Sequence, residues 1–499
     1  MMRTRSSGVA VLVALSGLAV SASANAQATT GDDTTPLPVP LELLHVEPGG
    51  VTADQAGARA AQTSWSAKAA QETLRSAAAR VDGAWASFLP RLSVAGKYTR
   101  LSSFTPPSFG SGSIVGTDAT GTIIDPANFY SPTLNPNGTT HLFPFALVFP
   151  LVLDNYLLQA TITVPISDYL LRIDQNYSAA THSREAARWD VVTARATSEA
   201  NGRIAYYAWL NARGAVIVAV QALNDQKTHK RDARNQFAAG NASKADVLRA
   251  DTAAASAELA VERARNLADL TEKQLRTAMH APEGQLLEPG EDLEAPVQPM
   301  QGNLRQMTLE AFSARPEIKS ADANAASAHE QAEAAIAGRY PVLSAFADGI
   351  YANPNPRFVP QANAWNATWD LGAQVTWSPN DIVTANSSVN DINARVAVIE
   401  SNKNVTRDNI EVEVTQMLQQ VHEADFSIET STRELASAQE AYRVQRELFN
   451  NGRGTSTTLT DAESDLTRAR LDLLNSKVAA RTARVRLDHA LGRDAHPVP

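Results

Sequence analysis

The side chains with which this 499-residue chain could do chemistry are nine histidines, 53 carboxylates and a population of hydroxyls; it has no cysteine. Their spacing supports no enzyme. The histidines nowhere take the H-E-x-x-H spacing that sets two imidazoles and a general base on one helical face. Neither a G-x-S-x-G elbow nor a phosphate-cradling G-x-x-x-x-G-K is present. Without cysteine there is no thiol nucleophile, no thiolate metal site, no disulfide framework and no acylated N-terminal Cys. No metal and no cofactor is expected. What the sequence does space regularly is a break. "FAAGNASKADVLRA" (Phe237 to Ala250) returns as "FNNGRGTSTTLTDA" (Phe449 to Ala462). In each copy a glycine, Gly240 or Gly452, can end a helix, and a following hydroxyl, Ser243 or one of Thr455 and Ser456, can cap the next.

These breaks belong to a duplication. Phe237 aligns with Phe449 and Gly240 with Gly452, and at the same offset Ala250 meets Ala462, Asp251 meets Glu463, Leu259 meets Leu471 and Leu275 meets Leu487. Upstream, "FLPRLSVAGKY" (Phe88 to Tyr98) matches "RYPVLSAFADGIY" (Arg339 to Tyr351) at an offset longer by about 39 residues, so the first half carries an insertion. The Gly/Ser/Thr/Pro/Asn-rich tract Ser102 to Pro150 has the composition of that loop. Alternation of apolar and polar residues marks strands at 91–101 and 157–166 in the first half and at 341–352 and 366–377 in the second. At roughly ten residues, with one apolar and one small or polar face, such strands fit an outer-membrane barrel. They fit an antiparallel sheet of a soluble protein equally well.

The helices decide between these. No proline interrupts Ser167 to His280 or Asn380 to Ala495. The stretch from Leu170 to Phe237 would make a helix of roughly 100 Å, longer than any globular domain needs. Leu459, Leu466, Leu473, Ala480 and Leu487 recur every seven residues with Ala462, Ala469, Ser476, Ala483 and Ala490 beside them. Val247, Ala254, Val261, Ala268 and Leu275 repeat the pattern. The expected fold is therefore mainly α with a membrane β-barrel, to which each chain gives four strands, and with long coiled-coil helices. The expected organisation is a signal peptide at 1–26, a Pro-rich segment at 27–50, one repeat at 51–280 with an external loop at 102–156 and a turn at 237–243, and a Pro-rich connector at 281–302. A second repeat follows at 303–494 with a turn at 449–456, then a tail at 495–499. By length, 303–338 should stack end to end on the helix that follows Ser243, and 51–87 on the helix that follows Leu459. Removal of the signal takes the formal charge from −9 to about −11 and makes nucleic acid an unsuitable partner.

The paired "P-x-L-S" strand entries, the junctions "VPISDYLLRIDQNYSAA" and "VTWSPNDIVTANSSVNDINARV" and both Phe-x-x-Gly turns, in this order, resemble the TolC-like outer-membrane efflux protein family from about Val51 to Asp494. Four strands cannot close a barrel round water, so several chains must share one. Two, three or four copies would serve, and the resemblance implies three, giving a 12-stranded homotrimeric barrel in outer-membrane lipid above a periplasmic α-barrel. It also implies the function: an exit duct for an inner-membrane transporter, reached through a periplasmic adaptor, in efflux or type I secretion. The adaptor would dock on Phe237, Gly240, Ser243, Phe449, Gly452 and Thr455. Two acidic rings close the entrance of well-known members; their positions here hold Thr458 and Asp461. Asp246 stands where such members have a closing link, but its partners' positions hold Phe449 and Gly454. A secreted trimeric coiled-coil protein or adhesin is the alternative, and it would cluster its strands at the C-terminus.

Overall fold

The computed structural model describes residues 46–103, 151–282, 284–297, 300 and 302–496. The signal peptide, nearly all of 27–50 and most of the 102–156 loop lie outside the described residues. Four strands, β1 (Arg91–Arg100), β2 (Asp154–Val164), β3 (Val342–Asn353) and β4 (Asn366–Thr376), form one antiparallel sheet in chain order. Its register sets Leu92, Ile162, Ala347 and Leu371 in one row and Val94, Ala160, Gly349 and Trp369 in the next. This apolar face is bare, with Leu92, Val94, Trp369 and Leu371 all exposed.

The other face sets Ser93, Thr161, Asp348 and Asp370 in a row. Opposed like charges destabilise a sheet, and here each carboxylate has its own donors. Asp348 accepts from Thr161 and from Gln159 (3.0 Å), and Asp370 pairs with Arg357 at 2.8 Å. Strand β2 begins at Asp154, not Leu157, because Tyr98 and Arg100 each hold the Asp154 carboxylate at 2.9 Å and extend the ladder with β1. It ends at Val164, since Pro165 has no N–H to continue pairing, and Ile166 already belongs to the next helix.

Helices α1 (Ala53–Thr63) and α2 (Trp65–Ala86) lead into β1. From β2 the chain passes through α3 (Ile166–Asp168) and a π-helical turn at Tyr169–Ile173, which the periodicity did not disclose, into α4 (Asp174–Ala238, 65 residues). After the first tip turn comes α5 (Lys244–Met279), then the connector, α6 (Leu304–Ala314), α7 (Pro316–Ile336) and β3. From β4 the chain descends in α8 (Asp381–Asn450, 70 residues) and returns in α9 (Ser456–Ala490). At 1.5 Å per residue, α4 and α8 are each about 100 Å long. Helix α4 touches α1, α2, α5, α7 and α9. The heptad positions Leu459, Leu466, Ala469, Ala480, Leu487 and, in the first half, Val247, Ala254, Val261 and Leu275 are buried.

The short helices do stack end to end, with partners exchanged from those expected. Helix α5 is continued by α1 and α2: Thr63 Oγ1 donates to the Met279 carbonyl at 3.2 Å, and Trp65 packs edge-on to His280 at 5.7 Å. Helix α9 is continued by α6 and α7, with Arg315 donating to the carbonyls of His489 and Ala490. The reason is connectivity. The tip turn lays α5 on α4, and the β1–β2 hairpin lays α2 on the same α4, so α5 and α2 must divide its length; the second repeat does the same with α8.

At this mid-rod level the connector straps the repeats together. Glu291 accepts from the Ala53 backbone N–H and from the Tyr207 hydroxyl, while Arg481 of α9 donates to the carbonyls of Asp292 and Ala295. Trp209, Tyr206 and Leu210 are fully buried against it. Here α1 and α4 approach so closely that a Cβ on Gly202 would lie 2.7 Å from the Ala60 Cβ and 2.8 Å from the Ala56 carbonyl oxygen. Gly202→Leu should therefore push α1 off α4 and cost about 1–3 kcal/mol or more. Gly83→Ala, on an open helix face, should be neutral or stabilise by up to about 1 kcal/mol. Thermal unfolding of the assembled protein checks both; equal melting of the two variants would refute the close crossing.

Candidate functional site

The two tip turns are built from the same parts. Gly240 (φ 80°) and Gly452 (φ 68°) take the left-handed conformation that L side chains rarely adopt. Each donates back to the phenylalanine three residues earlier, Phe237 or Phe449, at 3.0 Å. The next N–H, of Asn241 or Arg453, closes the outer bond to Gln236 or Leu448 at 2.9 Å. The following helix starts on a hydroxyl cap: Ser243 accepts from the Asp246 N–H and Thr455 from the Thr458 N–H, both at 3.2 Å. Gln236 donates across to the Asn450 carbonyl at 2.9 Å and ties the turns side by side.

Within this shared frame the side chains differ. Phe237 is exposed, with the Lys244 ammonium 5.8 Å from its ring centroid. Phe449 is buried among Ala233, Ala250 and Leu459, so it belongs to the core rather than to a docking surface, contrary to its expected role. Gly454 has no room for a side chain, since a Cβ would lie 2.9 Å from the Phe449 backbone nitrogen. Asp246 is engaged locally. It accepts from the Ser243 hydroxyl (2.6 Å) and N–H (3.0 Å), and it meets Arg249 at 3.1 Å. The Ser243 hydroxyl first, then its backbone N–H, hold the Asp246 carboxyl below the ordinary carboxylate range.

Thr458 and Asp461 face outward, and Asp461 makes no ion pair among the described residues, whereas Asp465 is tied to Arg468 at 3.0 Å. Among the described residues, the Asp461 carboxylate near the second turn is thus exposed and outside any ion pair.

The sequence profile of the outer membrane efflux protein family matches residues 138–280 and 309–493, one segment in each repeat. The chain belongs to the outer membrane efflux protein family. Solved structures with the same fold include the outer-membrane channel OprN (16% identity, 88% of this chain and 89% of that one, TM-score 0.69). They also include CusC (17%, 91% and 97%, 0.69) and the open state of the Neisseria gonorrhoeae MtrE outer membrane channel (15%, 88% and 88%, 0.67). No curated protein sequence matches the chain.

As an outer membrane efflux protein, a transport duct and not an enzyme, the chain turns its bare apolar sheet face to lipid and the Asp348/Asp370 face to water. Tyr98, Tyr156, Tyr351 and Trp365 cluster at the loop end of the sheet and Trp85, Tyr340 and Trp377 lie exposed at its helical end, as two interfacial belts require. No helix among the described residues is long and apolar enough to cross a membrane.

One polar group in this efflux protein escaped the sequence reading. His229 of α4 is enclosed beside Phe449; its Nδ1 lies 2.9 Å from Glu463 Oε2 and its Nε2 3.2 Å from Ser456 Oγ. Ser456 is thus not the cap but turns inward. The signal available was the alignment of Asp251 with Glu463, an acid kept beside the seam in both repeats.

The two caps should respond differently to acid. A carboxyl held low in the folded state contributes stability above its unfolded pKa and loses it as pH falls through the folded value. The start of α5 should therefore fray below the ordinary Asp range, and the carboxylate-free cap of α9 should not. Amide exchange across 243–247 and 455–459, corrected for intrinsic rates, checks this; Asp246→Asn should abolish the pH dependence.

Proposed function

We propose that the protein is the outer-membrane exit duct of a tripartite efflux or type I secretion assembly. In this reading three copies share one 12-stranded barrel and one periplasmic α-barrel. The sheet carries the proposal: among the described residues β1 and β4 each have an unpaired edge, and an edge left open in lipid would strand backbone N–H and C=O groups with no partner. Copies must therefore supply β1 to β4 of the neighbour. The helices support the same assembly. Val398, Val405, Val412 and Phe426 stand exposed at multiples of seven residues along α8, an apolar stripe that no described residue of the chain covers.

The tip turns then form the entrance. We assign the exposed side of the turns, with Phe237, Gly240, Ser243, Gly452 and Thr455, to docking of a periplasmic adaptor that brings the inner-membrane transporter to the duct. Asp461, repeated by the symmetry, would ring the axis and concentrate negative potential there.

The purified oligomer should conduct ions in planar bilayers; silence of a folded, inserted oligomer would end the channel reading. In the same bilayers Asp461→Asn should weaken cation selectivity in a salt gradient and relieve block by multivalent cations. Asp465→Asn, whose carboxylate already serves Arg468, is the control. If both variants shift the reversal potential equally, the constriction lies elsewhere.

A further inference from the structure

Below the connector the molecule is two helical hairpins, α4–α5 and α8–α9, and the main seam between them runs along α4 and α9. Widening an entrance at the tips requires one hairpin to move against the other, so this seam must give. Among the described residues, polar links join the two hairpins at several levels. Gln236 joins the turns themselves through the Asn450 carbonyl at 2.9 Å; along the seam above them Asn211 meets Asn475 at 3.0 Å near the connector, Arg470 meets Asp225 at 3.1 Å farther down, and the group of His229 with Glu463 and Ser456 lies lowest.

Only the last is sealed from water, with the His229 and Glu463 side chains 1% and 3% exposed against 22% and 29% for Arg470 and Asp225. Its surroundings are closed on every side. Gln226 and Asp225 come from α4, Tyr442, Arg446 and the Phe449 ring from α8 and its turn, and Leu459 from α9.

The corresponding acid of the first repeat is used differently. Asp251 of α5 binds Lys230 (3.0 Å) and Arg234 (3.4 Å) of α4, a half-exposed contact within one hairpin. The duplicated acid therefore grips α4 from both sides, and only the second copy joins the two hairpins.

We propose that His229, Glu463 and Ser456 are positioning residues of the transport entrance: a buried latch that holds α9 on α4 and so sets how far the second hairpin, which carries Thr458 and Asp461, can swing. This rests on the channel reading above. The chemistry suits a latch. Breaking one partner of a buried polar pair while the site stays dry is costly, but a swing that hydrates both partners returns most of their solvation. The half-open state is thus penalised and the two end states remain close in energy. Beside the exposed Gln236–Asn450 bond between the turns, this position adds a hold sealed from water, where Gly454 offers no side chain and Asp246 is committed to its own cap.

The test compares single-channel recordings of the full-length trimer with those of His229→Phe, which can stack on Phe449 but forms no hydrogen bond, and of Glu463→Ala, Ser456→Ala and the control Asp251→Ala. Losing a hydrogen bond to a charged group corresponds to about a tenfold change in an equilibrium. The wide-state occupancy of His229→Phe and Glu463→Ala should rise by that order, with no further rise in the double variant. Ser456→Ala should rise less and Asp251→Ala not at all. Glu463→Gln, which keeps an acceptor for His229, should restore most of the closed behaviour; a merely structural role would show in melting temperature without this ordering of conductances. Wild-type-like recordings from assembled His229→Phe trimers overturn the latch, as does an equal effect of Asp251→Ala. Wild-type trimers that never conduct overturn instead the channel reading on which it rests. Should Glu463→Ala fail to assemble, His229→Phe and Glu463→Gln decide the matter.

Discussion

A β-sheet edge cannot be left unpaired in hydrocarbon, where no water replaces the missing hydrogen bonds. That constraint bears on everything else in this protein. Four strands with a lipid-facing side and a polar side leave β1 and β4 open, so one chain is an arc and not a barrel. The arc also fixes the helices. Each of the four strands continues into or out of a helix at its lower end, so strand spacing sets helix spacing, and the helical rods must sit side by side as a curved wall. The π-helical turn at Tyr169–Ile173 lies at this change of geometry, where a strand tilted in a sheet gives way to a helix that descends from it. Tyr169 anchors the turn by donating to the Phe88 carbonyl at 3.0 Å and stacking on the Phe88 ring.

Within the wall α4 is the element on which the rest is assembled. It meets short helices from both repeats and the connector at mid-length, and it carries a glycine at two close approaches: Gly202 under α1 and Gly214 under Leu474 of α9. The duplication is consequently a duplication of parts and not of roles. Helices α5 and α9 begin on matching caps and end on matching left-handed residues, His280 and Gly492. Yet α5 lies on its own hairpin partner, while α9 also contacts α4 and sends Lys477 and Arg481 to the connector. Residues 463, 470, 477 and 484, seven apart on α9, each pair with a different neighbour: His229, Asp225, Glu294 and Asp425.

What was legible in the sequence were features with a period or a fixed conformational demand. The heptads, the alternating strands, the long proline-free runs and the two turn glycines all carry their structural meaning locally, and the fold class followed from them. The family resemblance added the order in which these parts occur. Less legible was anything that depends on which elements meet. End-to-end stacking was foreseen from lengths alone, but lengths near 36 residues are interchangeable, and only the hairpin connectivity decides that α1 continues α5. Phe237 and Phe449 are identical in local motif and opposite in burial, because α4 and α9 close over one and not over the other. His229 gave no sign of itself, since a single imidazole has no period and its partners lie more than two hundred residues away in sequence.

The burial of that histidine also bears on how a duct this long can be both stable and movable. Apolar seams of Ala, Val and Leu hold helices over a continuous range of small displacements, because contact area changes gradually. A buried hydrogen-bonded group does not yield gradually: it is satisfied, or it is dry and unsatisfied, or it is in water. Burial pushes the Glu463 carboxyl up while the His229 contact pulls it back, so charge and desolvation oppose each other at one spot. Placing one such group beside the tip turns, with half-exposed links above it, gives the seam a discrete step at its lower end and leaves the upper part to the apolar heptads. The rod can then stay rigid through the connector while its last turns choose between two arrangements.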